Sequence, residues 1–201
     1  MKFIGITGGI GAGKSELLTY IRKHYKCKIY LADEVAHLLM RRGGVCYEEL
    51  AELLGSEAVS GDGEIDRAVM AEKIFADGEL LRRVNEIVHP AVKTFLLERL
   101  AQAKAAGNVE LFFVEAALLI ESGYVGLVDE MWYVYVDEAV RRERLRRNRG
   151  YSDKKISDIM SRQLTDEAFR KNSDFVIDNS GPIEDSYGQI DKQLEAYTWR
   201  E

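Results

Sequence analysis

The residues from Gly8 to Ser15 read GGIGAGKS, which fits the pattern G-x-x-x-x-G-K-[ST]. An apolar run of strand length, Lys2 to Thr7, precedes this stretch, and Ser15 to Tyr25 follows it with apolar residues on one helical face. Glycines let the backbone fold closely around phosphate oxygens, and the amides at the helix start donate to an anion. Strand, loop and helix together predict a nucleoside-triphosphate-binding loop of the P-loop type.

Two positions of this loop have distinct expected roles. Lys14 is expected to bridge the outer phosphates of the nucleotide, and Ser15 to supply a hydroxyl ligand to Mg²⁺, which prefers oxygen donors. The loop alone does not distinguish a kinase from a switch GTPase or a motor ATPase. Glu115, which follows an apolar run, is a candidate for the surroundings of the metal or for a helix N-terminal carboxylate, and the sequence leaves both interpretations open.

Short runs rich in β-branched and aromatic residues predict five buried strands. The runs are Lys2 to Thr7, Lys28 to Ala32, Val109 to Val114, Glu130 to Val136 and Asp174 to Ile177. They alternate with amphipathic helical stretches, among them Ser15 to Tyr25 and Pro90 to Ala105. This order predicts an α/β fold with a five-stranded parallel sheet flanked by helices, because parallel neighbours need crossover connections.

Two stretches do not fit a simple alternation. About 75 residues separate the second run from the third, too many for one crossover. Glu34 to Gly107 is therefore predicted to be a helical insertion, with a turn at Gly61-Asp62-Gly63. Glu138 to Arg170 is very polar and is predicted to form a mobile flap. That flap carries six arginines, at positions 141, 142, 144, 146, 147 and 149.

Length and composition exclude several classes of protein. A chain of 201 residues with 46% hydrophobic residues and two prolines predicts one globular domain carrying insertions. The longest uncharged stretch, Phe3 to Gly13, is too short for a membrane span and unlike a signal peptide. The net charge of −6 argues against general nucleic-acid binding, and two cysteines are too few for a disulfide framework. A cytoplasmic monomer is expected, with no nucleic-acid or membrane partner.

The ordered motifs resemble those of the dephospho-coenzyme A kinases. Residues 5–15 are similar to the family's GLTGGIGSGKS, and Ala32-Asp33 falls where the family has DAD. Further matches are spread along the chain: residues 65–67 resemble IDR, 89–90 HP, 117–121 PLLFE, and 173–181 ADxVIxNxG. The P-loop is common to many kinases, whereas the ordered set is specific to this family.

The resemblance implies a P-loop NTPase fold with a helical substrate-binding insertion and a lid. The implied nucleotide-binding core spans residues 1–33, 108–139 and 170–201, the CoA-binding insertion spans 34–107, and the lid spans 140–169. The implied activity is the ATP-dependent phosphorylation of the ribose 3′-hydroxyl of dephospho-CoA, giving coenzyme A and ADP, with ATP and Mg²⁺ as cofactors.

The resemblance also implies roles for individual residues. Asp33 is expected to orient the 3′-hydroxyl and accept its proton, while Lys14, Arg144 and Mg²⁺ neutralise the phosphates. The implied acceptor contacts are Asp33, Arg67, His89, Leu118 and Glu121. The implied nucleotide-binding residues are Gly8, Gly9, Ile10, Gly11, Ala12, Gly13, Lys14, Ser15, Glu16 and Asn179, with Ser15 as the metal ligand.

The chain departs from the family pattern at several of these places. Leu31 replaces the first aspartate of DAD, Glu16 replaces the threonine after the P-loop serine, and Asn148 replaces the second arginine of RLxxR. On a helix, Arg141 and Arg144 lie near one face, so at most two or three of the six arginines can reach one phosphate.

Other interpretations stay open at the sequence level. Asp33 is also a candidate helix N-cap, the arginine cluster a solvated helix face, and Asn179 a turn residue instead of an adenine contact. For His89, Arg67 and Glu121 the alternatives are structural hydrogen bonds or surface ion pairs. At the level of function, the alternatives are another small-molecule kinase of the nucleoside-monophosphate type and a regulatory ATPase without a phosphoryl acceptor.

Overall fold

The computed structural model describes residues 1–198, so residues 199–201 of the predicted core lie outside the described part of the chain. The chain divides into two compact units. One unit comprises Met1–Ile29 and the chain from Gly107 onward, and the other comprises Tyr30–Ala106. No helix within residues 1–198 is long and apolar enough to cross a membrane.

A five-stranded sheet forms the centre of the first unit. The strands are β1 (Lys2–Thr7), β2 (Cys27–Leu31), β3 (Leu111–Glu115), β4 (Glu130–Tyr135) and β5 (Phe175–Asp178). Their order is β2-β3-β1-β4-β5, and β1 pairs in parallel with β3 and β4, with Lys2 opposite Leu111 and Ile4 opposite Glu130. All five predicted strands are confirmed, each to within two residues at either end. The predicted five-stranded parallel sheet of a P-loop fold is also confirmed, and its strand order is that of a doubly wound sheet.

Helices cover this sheet, which explains why its strands are apolar on both faces. They are α1 (Lys14–His24), α6 (Glu138–Arg149), α7 (Asp153–Met160), α8 (Asp166–Lys171) and α9 (Ile183–Thr198). Aromatic side chains fill the middle of the sheet: the ring of Trp132 contacts those of Phe113 and Phe175 edge-on, at centroid distances of 5.8 and 5.1 Å. Full burial of such side chains stabilises the fold by about 1.5–3 kcal/mol each.

The second unit consists of helices, as predicted for the insertion. Its elements are α2 (Ala32–Met40), α3 (Tyr47–Leu54), a 3₁₀ turn (Ser56–Ala58), α4 (Arg67–Ala76) and α5 (Gly78–Ala106). A buried stripe along α5 packs on α2, α3 and α4. The predicted turn is confirmed, since the Gly63 amide donates to the Ser60 carbonyl at 2.9 Å.

The predicted start of the last of these helices, at Pro90, is wrong. Proline favours the first turn of a helix, because its missing N–H needs no partner there. In the structure α5 begins at Gly78, and the carboxylate of Asp77 caps it by accepting the amide protons of Glu79 and Leu80 at 2.9 and 3.1 Å. The buried stripe runs unbroken past Pro90 through Val88 and Val92, so packing keeps the helix continuous.

Candidate active site

The glycine-rich loop connects β1 to α1 in the first unit. Gly13 is the N-cap of α1 and has φ of 86°, a conformation that favours glycine. Gly8 is restricted by space, because a Cβ there would lie 2.7 Å from the carbonyl oxygen of Val134 on β4. These constraints hold the loop in the form in which the amides at the start of α1 are directed at a bound anion.

Lys14 lies at the centre of this loop. Its Nζ donates to the carbonyl oxygen of Gly8 at 2.7 Å and lies 3.4 Å from Oε1 of Glu115, and both charged side chains are mostly buried. A turn segment follows Glu115, so the interpretation of this residue as a helix N-terminal carboxylate is wrong. Glu115 instead lies at the end of β3, where its charge holds the lysine over the loop.

The donors around the loop fit a magnesium ion that is mainly held by phosphate and water. Ser15, in the first turn of α1, is exposed and carries a hydroxyl, and Glu115 supplies a carboxylate. Hydroxyl and carboxylate oxygens are the donors that Mg²⁺ prefers, and it usually keeps several waters. Within residues 1–198 no three His, Cys, Asp or Glu side chains form a metal-binding group.

Asn179 supports the loop from behind. Its side chain is 1% exposed, and its amide donates to the Ala12 carbonyl at 2.8 Å while its carbonyl accepts the Ser186 hydroxyl at 2.9 Å. Each such buried hydrogen bond contributes about 1 kcal/mol to stability. The structure therefore places Asn179 against the backbone of the loop, beside Gly13, and its predicted contact with adenine stays a prediction.

The arginines of α6 fall into two groups. Arg142 pairs with Glu138 at 2.8 Å and Arg146 with Asp153 at 2.6 Å, while Arg147 and Arg149 are exposed. These four support the interpretation of a solvated helix face. The other two face the loop. Nη1 of Arg144 lies 3.8 Å from the point where a Cβ on Gly13 would be, and Arg141 lies over Gly9 and Gly11.

Two more lid residues contact the loop, and the sequence analysis predicted neither contact. Leu145 is 1% exposed and packs over Gly11, as its place in RLxxR would allow. Gln163, which follows α7, accepts the amide proton of Ile10 through Oε1 at 3.3 Å. A lone glutamine in a polar segment gives no signal of such a contact. The predicted lid segment thus lies on the loop in this structure.

In the second unit, Asp33 lies in the first turn of α2 with its side chain exposed. The interpretation of Asp33 as the N-cap is wrong: α2 begins at Ala32, the capping position is Leu31, and no side chain caps it. A carboxylate in the first turn still interacts favourably with the helix dipole, by about 0.3–1 kcal/mol. The Asp33 carboxylate does not cap α2 and is exposed, so it is accessible to a ligand.

A cavity of about 460 Å³ lies in the same unit. Cationic side chains, Arg41 and Arg67, line it together with the apolar Leu38 and the thioethers of Met40 and Met70. The remaining lining residues are Glu34, His37, Glu64 and Ile65. Neither arginine forms an ion pair within residues 1–198. The cavity therefore offers a ligand two guanidinium groups, two carboxylates and an apolar wall.

Comparison with known proteins decides the family. The model of the family described as CoaE, dephospho-CoA kinase, matches residues 2–185. The dephospho-CoA kinase of Aquifex aeolicus is 36% identical over 198 residues, which cover 98% of both chains. The chain belongs to the dephospho-CoA kinase family.

Among solved structures, TT1252 from Thermus thermophilus is similar to this chain, with a TM-score of 0.81 and 31% identity over 97% of both chains. Dephospho-CoA kinase from Campylobacter jejuni, at 21% identity and a TM-score of 0.73, covers 99% of this chain and 98% of its own, and supports the fold.

The remaining residues implied for this dephospho-CoA kinase family member are exposed. His89 lies on α5 before Pro90, and Arg67 is the first residue of α4, after the capping Asp66. Leu118 and Glu121 lie in the turns that follow β3, with Leu118 48% exposed. Glu16 is exposed in the first turn of α1, and its amide nitrogen donates to the Gly13 carbonyl at 3.1 Å. Exposure is what a ligand contact requires, but it does not assign the ligand.

Proposed function

We propose that this protein transfers the terminal phosphoryl group of ATP to the ribose 3′-hydroxyl of dephospho-CoA, giving coenzyme A and ADP. The observation that supports this most strongly is the match to the family over nearly the whole chain, together with a P-loop whose lysine is held in place by Gly8 and Glu115. The alternatives, a nucleoside-monophosphate-type kinase and a regulatory ATPase, have no such support.

The first unit provides the phosphate-binding part of the proposed reaction. The amides of the loop and the ammonium of Lys14 bind and orient the phosphates, and Arg144 adds charge beside Gly13. Mg²⁺, which Ser15 and Glu115 would help to hold, supplies further neutralisation of phosphate charge when bound. Little covalent work is asked of the protein, because phosphoryl transfer depends on in-line positioning and on stabilising the charge of the transferred group.

Asp33 is the proposed proton acceptor. The exposed carboxylate would accept a hydrogen bond from the 3′-hydroxyl and orient the oxygen for attack on the terminal phosphorus. As the new O3′–P bond forms and the bond from phosphorus to the bridging oxygen breaks, the hydroxyl proton passes to Asp33 and ADP leaves. Proton transfer of this kind contributes about 10²–10⁴-fold in rate.

The cavity of the second unit is the proposed site for the rest of the acceptor. Dephospho-CoA carries a diphosphate next to a long pantetheine arm, and the cavity pairs Arg41 and Arg67 with Met40 and Met70. His89, Leu118 and Glu121 stay predicted acceptor contacts on the strength of the resemblance. A cytoplasmic location and a monomeric state likewise remain predictions.

Mass spectrometry of the reaction products tests the proposal. Purified protein with Mg-ATP is offered dephospho-CoA, with adenosine, AMP and shikimate as parallel acceptors, and Lys14→Ala serves as the blank. We expect wild type alone to convert dephospho-CoA into coenzyme A, and EDTA to abolish the conversion. Preferred phosphorylation of AMP would favour the nucleoside-monophosphate kinase. Tight ATP binding without any phosphorylated product would favour the regulatory ATPase.

A further inference from the structure

Arg141 is a partly buried cation that forms no ion pair within the described residues. Its Nε is inaccessible to solvent and has no hydrogen-bond partner, and burial lowers the pKa of this guanidinium. The charged groups that act on it are Glu138, Tyr133 and Arg142, but Glu138 already pairs with Arg142 at 2.8 Å. Tyr133 stays neutral, because burial raises the pKa of its hydroxyl. A partly buried guanidinium without an ion-pair partner, with its Nε unsatisfied, would be stabilised by an anionic ligand.

The position of Arg141 on the loop indicates where that anion would bind. Its Nη1 is the atom nearest to the point where a Cβ on Gly9 would be, and its Cζ lies 3.0 Å from that point. Its Cγ lies 3.3 Å from the corresponding point on Gly11. The guanidinium therefore occupies the space that the missing side chain of Gly9 leaves open, close to the start of the loop.

The start of the loop is the end that would lie near the outer phosphates of a nucleotide. Lys14 donates to the Gly8 carbonyl at 2.7 Å, so its ammonium also lies at this end, and the lysine of such a loop reaches the β- and γ-phosphates. The opposite end, Gly13, begins α1 and offers helix amides to the inner phosphates. Arg144 lies beside Gly13, whereas Arg141 lies beside Gly9. The two arginines thus serve different ends of the loop.

We propose that Arg141 contacts the terminal phosphate of ATP, as a second phosphate-binding arginine of the lid. The planar guanidinium can donate two parallel hydrogen bonds to one phosphate, which also stabilises the charge of the transferred group. The inference rests on the proposed function only in taking ATP as the nucleotide.

Isothermal titration calorimetry with Mg-ADP and the non-hydrolysable analogue Mg-AMP-PNP, without any acceptor, tests this assignment. The quantity compared is the ratio of the two Kd values. A charged hydrogen bond is worth a tenfold or larger change in affinity, so we expect Arg141→Gln to shift this ratio about tenfold or more against the triphosphate. The exposed Arg147 lies on the same helix, and Arg147→Gln should leave the ratio within about twofold of wild type.

A purely structural role for Arg141 predicts a different result. Loosening the loop would weaken both nucleotides alike, so an unchanged ratio in Arg141→Gln, or a larger loss for ADP, would overturn the proposal. Should that variant fail to fold, Arg141→Met keeps the stem that packs over Gly11 and removes the charge, and the same shift is expected. Because no dephospho-CoA is present, these outcomes are independent of whether the wild type phosphorylates that acceptor.

Discussion

The phosphate loop of the sheet unit and the cavity of the helical unit are built in opposite ways. The loop is enclosed by side chains from distant parts of the chain, with Asn179 behind it and Arg141, Leu145 and Gln163 over it. The cavity is open, and its two arginines are exposed and form no ion pair within the described chain. The loop is therefore held in shape by the protein's own side chains, whereas the arginines of the cavity are left for a ligand to pair with.

This difference predicts which kinetic constant a substitution in each region should change. Preorganised donors cost nothing to reorganise during the reaction, so changes at the loop should lower the rate of phosphoryl transfer most. Exposed side chains that contact remote parts of a substrate contribute mainly to its binding, so changes at the cavity should act on KM. Asp33 lies in the helical unit, but its proposed role is in phosphoryl transfer itself. It is therefore an exception, because a change there should lower the rate and leave binding intact.

The largest effect is expected for Lys14→Ala. Removal of the ammonium deprives the outer phosphates of the loop's cation and removes the ion pair with Glu115 at 3.4 Å. We expect kcat to fall about 10³-fold and ATP affinity to fall as well, measured by a coupled assay for ADP and by calorimetry. Lys23→Ala, at an exposed position in the last turn of α1, is the matched control. A Lys14→Ala variant with more than a tenth of wild-type turnover would contradict the role given to the loop.

Asp33→Asn separates chemistry from binding inside the helical unit. Loss of the proposed proton acceptor should lower kcat about 10²-fold or more, while ADP affinity stays within about twofold of wild type. The comparison variant is Glu48→Gln, which alters an exposed carboxylate in the first turn of α3. Stopped assays with dephospho-CoA give the rates. Wild-type turnover in Asp33→Asn would show that the carboxylate is not needed, and the helical unit would then contribute to binding alone.

The same contrast explains what the sequence predicts well. The loop is continuous in sequence, and its glycines and lysine follow from phosphate chemistry, so eight residues and their flanks predict both the fold and the nucleotide. The five strands follow from their apolar runs, because both faces of a parallel sheet are buried. The side chains that close around the loop, such as Gln163 and Arg141, come from elsewhere in the chain, and no local pattern distinguishes them from a solvated polar helix.

Helix boundaries were harder to predict for a related reason. Pro90 indicated a helix start, yet the buried stripe of α5 carries the helix through it from Gly78. Asp33 matched a helix cap before Glu34, yet α2 begins two residues earlier, at Ala32. In α5, tertiary packing outweighs a local preference worth about 3 kcal/mol. The lining of the cavity comes from residues before and after α3 in sequence, and only the resemblance indicated Arg67.

Arg67→Gln is expected to give the smallest effect and tests the cavity most directly. Arg67 is the first residue of α4, exposed on the cavity wall, and its guanidinium has no carboxylate partner in residues 1–198 to compete with a diphosphate. Removal of its charge should raise KM for dephospho-CoA about tenfold and leave kcat and ADP affinity within about twofold. Lys104→Gln, at an exposed position late in α5, controls for net charge. Because adenosine carries no diphosphate, its KM should not respond to Arg67→Gln. An equal rise in KM for both acceptors would show that Arg67 stabilises α4 and does not contact the diphosphate.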